Sequence, residues 1–460
     1  MSGMPSLVPN PHWSARLARV LRTLPGGWPL PSRLHDLIFL RPAAFWPFLR
    51  RQVSDPAACF GQPDGRPRVL LINHCFDQDI AALRLAAAEA GVAVRVVRYQ
   101  EIRELARMHF PRDVLSGVEA YNRPSLAAQR VRYRAALRRW VDIVQEVWPF
   151  DVVLTPSDAF FWIREFVPEV QSRGIPVVVA DKEGTISPYY FDWHAAQVQQ
   201  HCPFISDRLL VWSDRHAAFW KQAGAPAERI EILGQPRSDL WHQPSADHRD
   251  AALPLRDVPM LLLLSFERSA YIPPDLYASG AVRWDAIFDT AHTAVADFAR
   301  RHTDWDVVIK AHPQQERLSE LAAWVRRLKK PNLHLATGAS GTSALISRAA
   351  LVAGFQTTAI YEAMVTGERP IVYPFWGDAE RWAENILPIH ASAGVTVARS
   401  AIEFPRALEA AAVSRRAPAD QLAQRPAAVR TVLGEADGRV CQRVWASVAA
   451  MWRRHQHSHG

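Results

Sequence analysis

Short runs of Val, Ile, Leu and Ala recur along this chain. Each closes on a polar or glycine-containing segment and is followed by a stretch of helix length. That alternation confines the chain to an α/β architecture with parallel strands. In the first half the runs are 69–73, 92–97, 151–155, 176–180, 209–212 and 229–233. After a gap they resume at 260–264, 306–309, 332–336, 350–354, 370–373 and 395–398. Val69-Leu70-Leu71-Ile72 is apolar without alternation, which marks a strand covered on both faces. Helices are expected over 77–90, 125–147, 160–172, 282–301, 316–329, 343–349 and 359–366.

The gap at 243–257 is rich in Pro, Asp, His and Ala and reads as a linker. The expected organisation is therefore an arm (1–65), a Rossmann-like domain (66–242), the linker, a second Rossmann-like domain (258–400) and a helical C-terminal segment (401–460). The expected fold class is α/β, with two Rossmann-like domains whose parallel sheets face a cleft between them. With 49% apolar residues the chain can fill both cores. No run of about 18 apolar residues occurs, so no membrane-spanning helix is expected. The N-terminus shows no secretion signal, and Cys59, Cys75, Cys202 and Cys441 lack metal or redox spacing, so a cytoplasmic protein with reduced thiols is expected.

The net charge of +8 is concentrated near the N-terminus, where residues 1–54 hold seven Arg and one Asp. Trp13, Trp28, Phe39, Phe45, Trp46 and Phe48 lie among them. Basic and aromatic side chains together suit an anionic membrane surface, so peripheral contact at the inner membrane face is one expectation. An arm packed onto the body, its arginines in solvent, is the other. No basic stripe continues into the body, which speaks against nucleic acid.

Chemistry-bearing residues cluster where strands end, and in a parallel sheet those ends face the cleft. Asp306-Val307-Val308-Ile309 runs into Lys310-Ala311-His312-Pro313, and Ala350–Gly354 runs toward Thr357, Thr358 and Glu362. The first delivers a cation and an imidazole, with Pro313 turning the chain. The second delivers two hydroxyls at a helix start, where N–H groups and the helix dipole favour phosphate. Glu362, one turn in, suits a ribose diol or a sugar hydroxyl. Ser265 ends the strand 260–264, and Arg237 in the turn Gly234-Gln235-Pro236-Arg237 can reach a phosphate or pair with Asp239. Glu183-Gly184, after the strand 176–180, places a carboxylate where a general base would act. Asn73, His74, Asp77 and Asp158 also follow strands and would line the opposite wall. The triplets Asp77-Gln78-Asp79 and Asp304-Trp305-Asp306 are too common by chance to imply a metal, and no metal or cofactor is expected. Glycine-rich dinucleotide and P-loop patterns are absent from the sequence, as is a serine-nucleophile elbow.

Taken in order, these pieces resemble the GT-B superfamily of bacterial surface-polysaccharide transferases. That group includes CDP-glycerol glycerophosphotransferases and the CMP-sugar-using capsular Kdo and sialyltransferases. The resemblance rests on Lys310-Ala311-His312-Pro313, on the 234–239 turn, on Thr357-Thr358 with Glu362-Ala363 and Gly367-x-x-Pro370, and on Lys182-Glu183-Gly184. It implies a glycosyltransferase of capsule or cell-envelope biosynthesis, moving a sugar from a nucleotide-activated donor to a glycan or lipid-linked acceptor. It also implies His312, Thr357 and Thr358 on the nucleotide phosphates, Glu362 on the nucleotide and Glu183 as base. Lys182 departs from the family's acidic residue, and the Thr pair replaces a Ser pair. Transfer of glycerol or ribitol phosphate from a CDP-alcohol is the neighbouring alternative, and a non-catalytic nucleotide- or glycan-binding scaffold is another.

Overall fold

The twelve expected strands all form, each bound within one residue of that read from the sequence, and they sort into two sheets. The computed structural model describes residues 42–74, 76–111, 114, 121–182, 187–242, 253–312, 315, 317–337 and 341–459, with backbone alone at 42–44, 48, 458 and 459. The arm up to residue 41, most of the linker, Glu183 with Gly184, and Pro313 lie outside the described residues.

The first sheet contains β1 (Cys59–Gly61), β2 (Arg68–Asn73), β3 (Ala93–Arg98), β4 (Val152–Thr155), β5 (Val177–Ala180), β6 (Arg208–Val211) and β7 (Ile230–Ile232). Its order is β1-β3-β2-β4-β5-β6-β7, parallel except for β1, which pairs antiparallel with β3. The second sheet contains β8 (Met260–Leu264), β9 (Asp306–Lys310), β10 (Leu333–Ala336), β11 (Leu351–Gly354), β12 (Ile371–Pro374) and β13 (Thr396–Ala398), in the all-parallel order β10-β9-β8-β11-β12-β13. Helices cover both faces of each sheet, so Val69–Ile72 and Met260–Leu263 are fully buried.

This strand order fixes where ligands go. From β2 the chain steps outward to β3, while from β4 it steps the other way; the same reversal separates β8 from β11. Connections leaving in opposite directions open a crevice at the carboxyl ends of the two strands. The first crevice is flanked by the segments leaving β2 and β4, the second by those leaving β8 and β11.

The chain crosses between the sheets twice. The turn at Gly234 meets the returning segment at Gly434, and neither position accepts a side chain. A Cβ on Gly434 would lie 1.8 Å from the Trp212 carbonyl oxygen, and one on Gly234 2.4 Å from that of Glu435. Both glycines have positive φ, +77° and +103°. The last helix, Val440–His459, then packs back on the first sheet. Asp239 caps its start by accepting from the backbone N–H groups of Val440 (3.0 Å) and Cys441 (2.7 Å). Trp445, fully buried, donates through its indole to Leu83 O at 2.9 Å.

The described end of the arm, helix Pro42–Ser54, lies against the long helix Ala127–Val147. Phe45, Leu49 and Val53 are buried, Arg50 pairs with Glu146, and the Arg139 guanidinium sits 4.6 Å from the Trp46 ring centre. Packing on the body accounts for these aromatic residues.

Candidate functional site

The second crevice gathers the residues expected on the phosphate side. Leu264 is in register with Lys310 on one side and Gly354 on the other, and Ser265 N–H donates to Lys310 O at 2.9 Å. The peptide after β8 therefore sits between the groups leaving β9 and β11, each one strand spacing of about 4.8 Å away. Lys310 is buried, its Nζ donating to Ala311 O at 3.3 Å. Burial, helped by the Lys310 charge, lowers the His312 pKa, so the ring is neutral at pH 7 and can donate a hydrogen bond to a phosphate without carrying charge. Lys310 is the cation of this pair.

Thr357 and Thr358 precede the short helix Ala359–Val365 and are half-buried. Thr357 Oγ1 accepts from Ala359 N at 3.3 Å, a local cap. Glu362, buried, faces Arg237: Nε donates to Glu362 Oε1 at 2.9 Å, while Nη1 donates to Asp79 Oδ2 at 3.3 Å. Trp212 closes the far side, its ring centre 5.0 Å from the guanidinium. Burial works against the Arg237 charge, but Glu362 and Asp79 outweigh it and its pKa is raised. Burial likewise raises the Asp79 carboxyl, with Arg237 opposing; the ion-paired geometry is what holds both charges.

Two expectations change here. Arg237 pairs with Asp79 and Glu362 rather than with Asp239, which caps the last helix. It ties Asp79 beside the first sheet to Glu362 beside the second. Ser265 does not offer its hydroxyl outward; it is buried and bonded to His292 and Gln315.

At the first crevice, His74 follows β2 and is held edge-on among Tyr99 (4.0 Å between ring centres), Phe160 (4.4 Å) and Trp162 (5.7 Å). Phe160 and Trp162 stack nearly parallel. Asn73 donates to Asp77 Oδ1 at 2.8 Å and accepts from Phe76 N at 3.1 Å, a turn that starts the helix Asp77–Ala87.

Asp158, after β4, is fully buried. Its Oδ2 accepts from Ile205 N (2.9 Å), Ser206 N (3.0 Å) and Ser206 Oγ (2.9 Å), while Oδ1 has no hydrogen bond. Burial raises its pKa against those bonds. One oxygen of this carboxyl is therefore anchored, and the other is buried without a hydrogen-bond partner.

Sequence reasoning passed over Glu101, in the first turn of the helix Tyr99–Arg107. It is buried, Oε2 lacks a partner, and burial pushes its carboxyl up to about 8. The position follows a strand, and that was the available signal. Among the described residues no group of three or more His, Cys, Asp or Glu could hold a metal ion.

No family model and no curated protein matches the chain. Solved structures do. A putative UDP-N-acetylglucosamine 2-epimerase from Listeria monocytogenes aligns with a TM-score of 0.51 at 13% identity, covering 84% of this chain and 97% of that one. A UDP-GlcNAc 2-epimerase from Methanocaldococcus jannaschii aligns at 0.50 and 13%, covering 83% and 99%. A further UDP-N-acetylglucosamine 2-epimerase gives 0.50 and 12%, covering 82% and 94%.

The fold is GT-B-like.

The expectation of a transferase is overturned by these matches, which are named for epimerisation, an isomerisation within one sugar that uses no separate acceptor. The glycosyltransferase reading falls with it, as does the CDP-alcohol transferase alternative. Among the described residues no helix is long and apolar enough to cross a membrane.

Proposed function

We propose that this chain binds a nucleoside-diphosphate sugar between its two sheets and inverts a stereocentre of that sugar as an isomerase. The observation that carries the reading is the pair of topological crevices. One is flanked by the segments that carry Lys310, His312, Thr357 and Thr358; the other by the segments that carry the buried Asp158 and the aromatic cluster around His74. The likeness to 2-epimerases over most of the chain favours isomerisation.

In this reading residues 258–400 hold the nucleotide. Lys310 and the His312 backbone and ring meet the diphosphate, and the Thr357–Thr358 turn adds donors. Glu362, hydrogen-bonded to Arg237, accepts from the ribose hydroxyls. Residues 66–242 hold the sugar. Inverting a sugar carbon by proton transfer needs one group to remove the proton from one face, while the C–H electron pair forms a double bond as the diphosphate leaves the neighbouring carbon, and a group to return a proton to the other face as the diphosphate adds back. In this proposal Asp158 takes one of these tasks and Glu183, which follows the apolar run 176–180 in the sequence, takes the other. The half-buried rings of His74, Tyr99 and Phe160 offer apolar surface to a pyranose.

The experiment is incubation of the purified protein with UDP-GlcNAc and a panel of other nucleotide sugars, no acceptor added, followed by proton NMR of the sugar. A new stereoisomer at constant total nucleotide sugar supports the reading. Unchanged sugar throughout the panel sinks it. Two variants examine the roles. Lys310→Met, which keeps the packed stem, is expected to weaken UDP roughly ten- to a hundredfold by calorimetry, the size of a lost charge-assisted contact. Asp158→Asn keeps an oxygen for Ile205 and Ser206 and is expected to lower kcat at least about a hundredfold with KM nearly unchanged; a kcat within a few-fold of wild type removes Asp158 from the chemistry.

A further inference from the structure

Ser265, His292, Gln315 and the backbone of His312 form a buried network that is one hydrogen short. His292 Nδ1 lies 2.8 Å from the Phe288 carbonyl oxygen, which only accepts, so Nδ1 carries the ring hydrogen and Nε2 is an acceptor. Burial lowers the His292 pKa to about 4, so no second ring proton is present at neutral pH. Ser265 Oγ lies 3.0 Å from that Nε2 and also 3.2 Å from Gln315 Oε1. Gln315 Oε1 in turn accepts from His312 N at 3.2 Å. The single Ser265 hydrogen faces two acceptors. Whichever one it serves, the other is left against a lone pair, in a place where Ser265 and His292 are almost wholly buried.

Turning the Gln315 amide over supplies the missing hydrogen. Nε2 then donates to Ser265 Oγ, and Ser265 donates to His292 Nε2. The cost is that Nε2 now faces the His312 N–H, donor against donor. An outside acceptor on that N–H removes the conflict. We infer that Gln315 and His292 are positioning residues that couple occupancy of the His312 backbone N–H by a phosphate oxygen to the orientation of Ser265. This inference rests on the nucleotide-binding reading above. Ser265 thus serves the phosphate crevice indirectly, as the middle of a relay between the His312 loop after β9 and the helix Asp285–Arg301.

The test uses the full chain with UDP as probe and the 15N resonances of the His292 ring as readout. In the wild type, saturation with UDP is expected to move the Nε2 resonance as that nitrogen becomes a full-time acceptor, while Nδ1 stays protonated. Gln315→Glu accepts from His312 N but cannot turn over to donate. It is expected to weaken UDP about tenfold, to keep the melting temperature within a few degrees of wild type, and to leave the Nε2 resonance unmoved by UDP. Gln315→Asn, which can still donate, is expected to restore part of the shift. UDP binding with an unmoved wild-type resonance overturns the relay and leaves the site reading intact. If the wild type does not bind UDP, the site reading falls, and inorganic pyrophosphate in the same titration tests the relay alone: the same shift supports it, and pyrophosphate binding without a shift, or no pyrophosphate binding, overturns it.

Discussion

Arg237→Met is expected to lower the free energy of unfolding at pH 7 by about 3–5 kcal/mol, the usual effect of stranding buried charges. Methionine fills the space of the stem but supplies no donors. Asp79 and Glu362 would then face each other near the junction of the two sheets with no cation between them. As pH falls through the carboxylate range, the stranded acids bury as neutral groups, so the deficit of the variant shrinks in acid and is largest at neutral pH. Adding Asp79→Asn and Glu362→Gln to the same chain should recover most of the loss, since buried neutral groups replace buried charges. Urea unfolding of the three chains at pH 5 and 7 measures this. A loss below about 1 kcal/mol at pH 7 would show that the junction gains nothing from the triad, as is common for exposed ion pairs.

Glu101→Gln is expected to act in the opposite direction. The Glu101 carboxyl has a pKa of about 8 in the fold against 4.5 ordinarily, burial being the main cause and the Arg98 charge and backbone N–H opposing it. The folded state therefore holds this proton more tightly than the unfolded chain does. Stability from this group is fully present below 4.5, declines as pH rises from 4.5 to 8, and is level above. The decline is on the order of 4–5 kcal/mol in total and roughly 3 kcal/mol by pH 7. Glutamine keeps an acceptor for Arg98 N–H and has no proton to lose. The variant should thus match wild type at pH 4.5 and exceed it increasingly up to pH 8. Parallel wild-type and variant stability curves across that window would exclude a buried neutral carboxyl.

Much of the architecture was legible because parallel strands covered on both faces must be apolar without interruption. Val69–Ile72, Met260–Leu264 and Val307–Ile309 could hardly be anything else. β1 was not legible: Cys59-Phe60-Gly61 is too short to show a pattern and exists through edge pairing to β3. The helix expected over 160–172 forms only from Phe166, because Phe160 and Trp162 turn toward His74 instead of continuing a helical face.

The placement of the candidate residues was only partly legible. Lys310, His312 and the Thr pair sit at strand ends, and strand ends can be read from sequence. The Arg237 partners could not be read, since Asp79 and Glu362 are 158 and 125 residues away and meet it only when both sheets assemble. Asp239, two residues away, was the obvious partner in sequence but is claimed by the start of the last helix. The Ser265–His292 contact was hidden for a similar reason, since it needs the inner face of the helix Asp285–Arg301. The reaction class was misread because the same crevice serves any chemistry that begins with a nucleotide-bound sugar.

The most direct test of the central claim is to incubate the protein with UDP-GlcNAc in deuterium oxide, without acceptor, and follow the sugar protons by NMR. The account predicts that deuterium enters the sugar at one carbon, the carbon whose configuration changes, and that Asp158→Asn slows this entry along with inversion. Other nucleotide sugars in the same solvent extend the test to substrate choice. If UDP and its relatives bind but no sugar proton exchanges and no stereoisomer forms, the protein is not an isomerase of nucleotide sugars, and the account is contradicted.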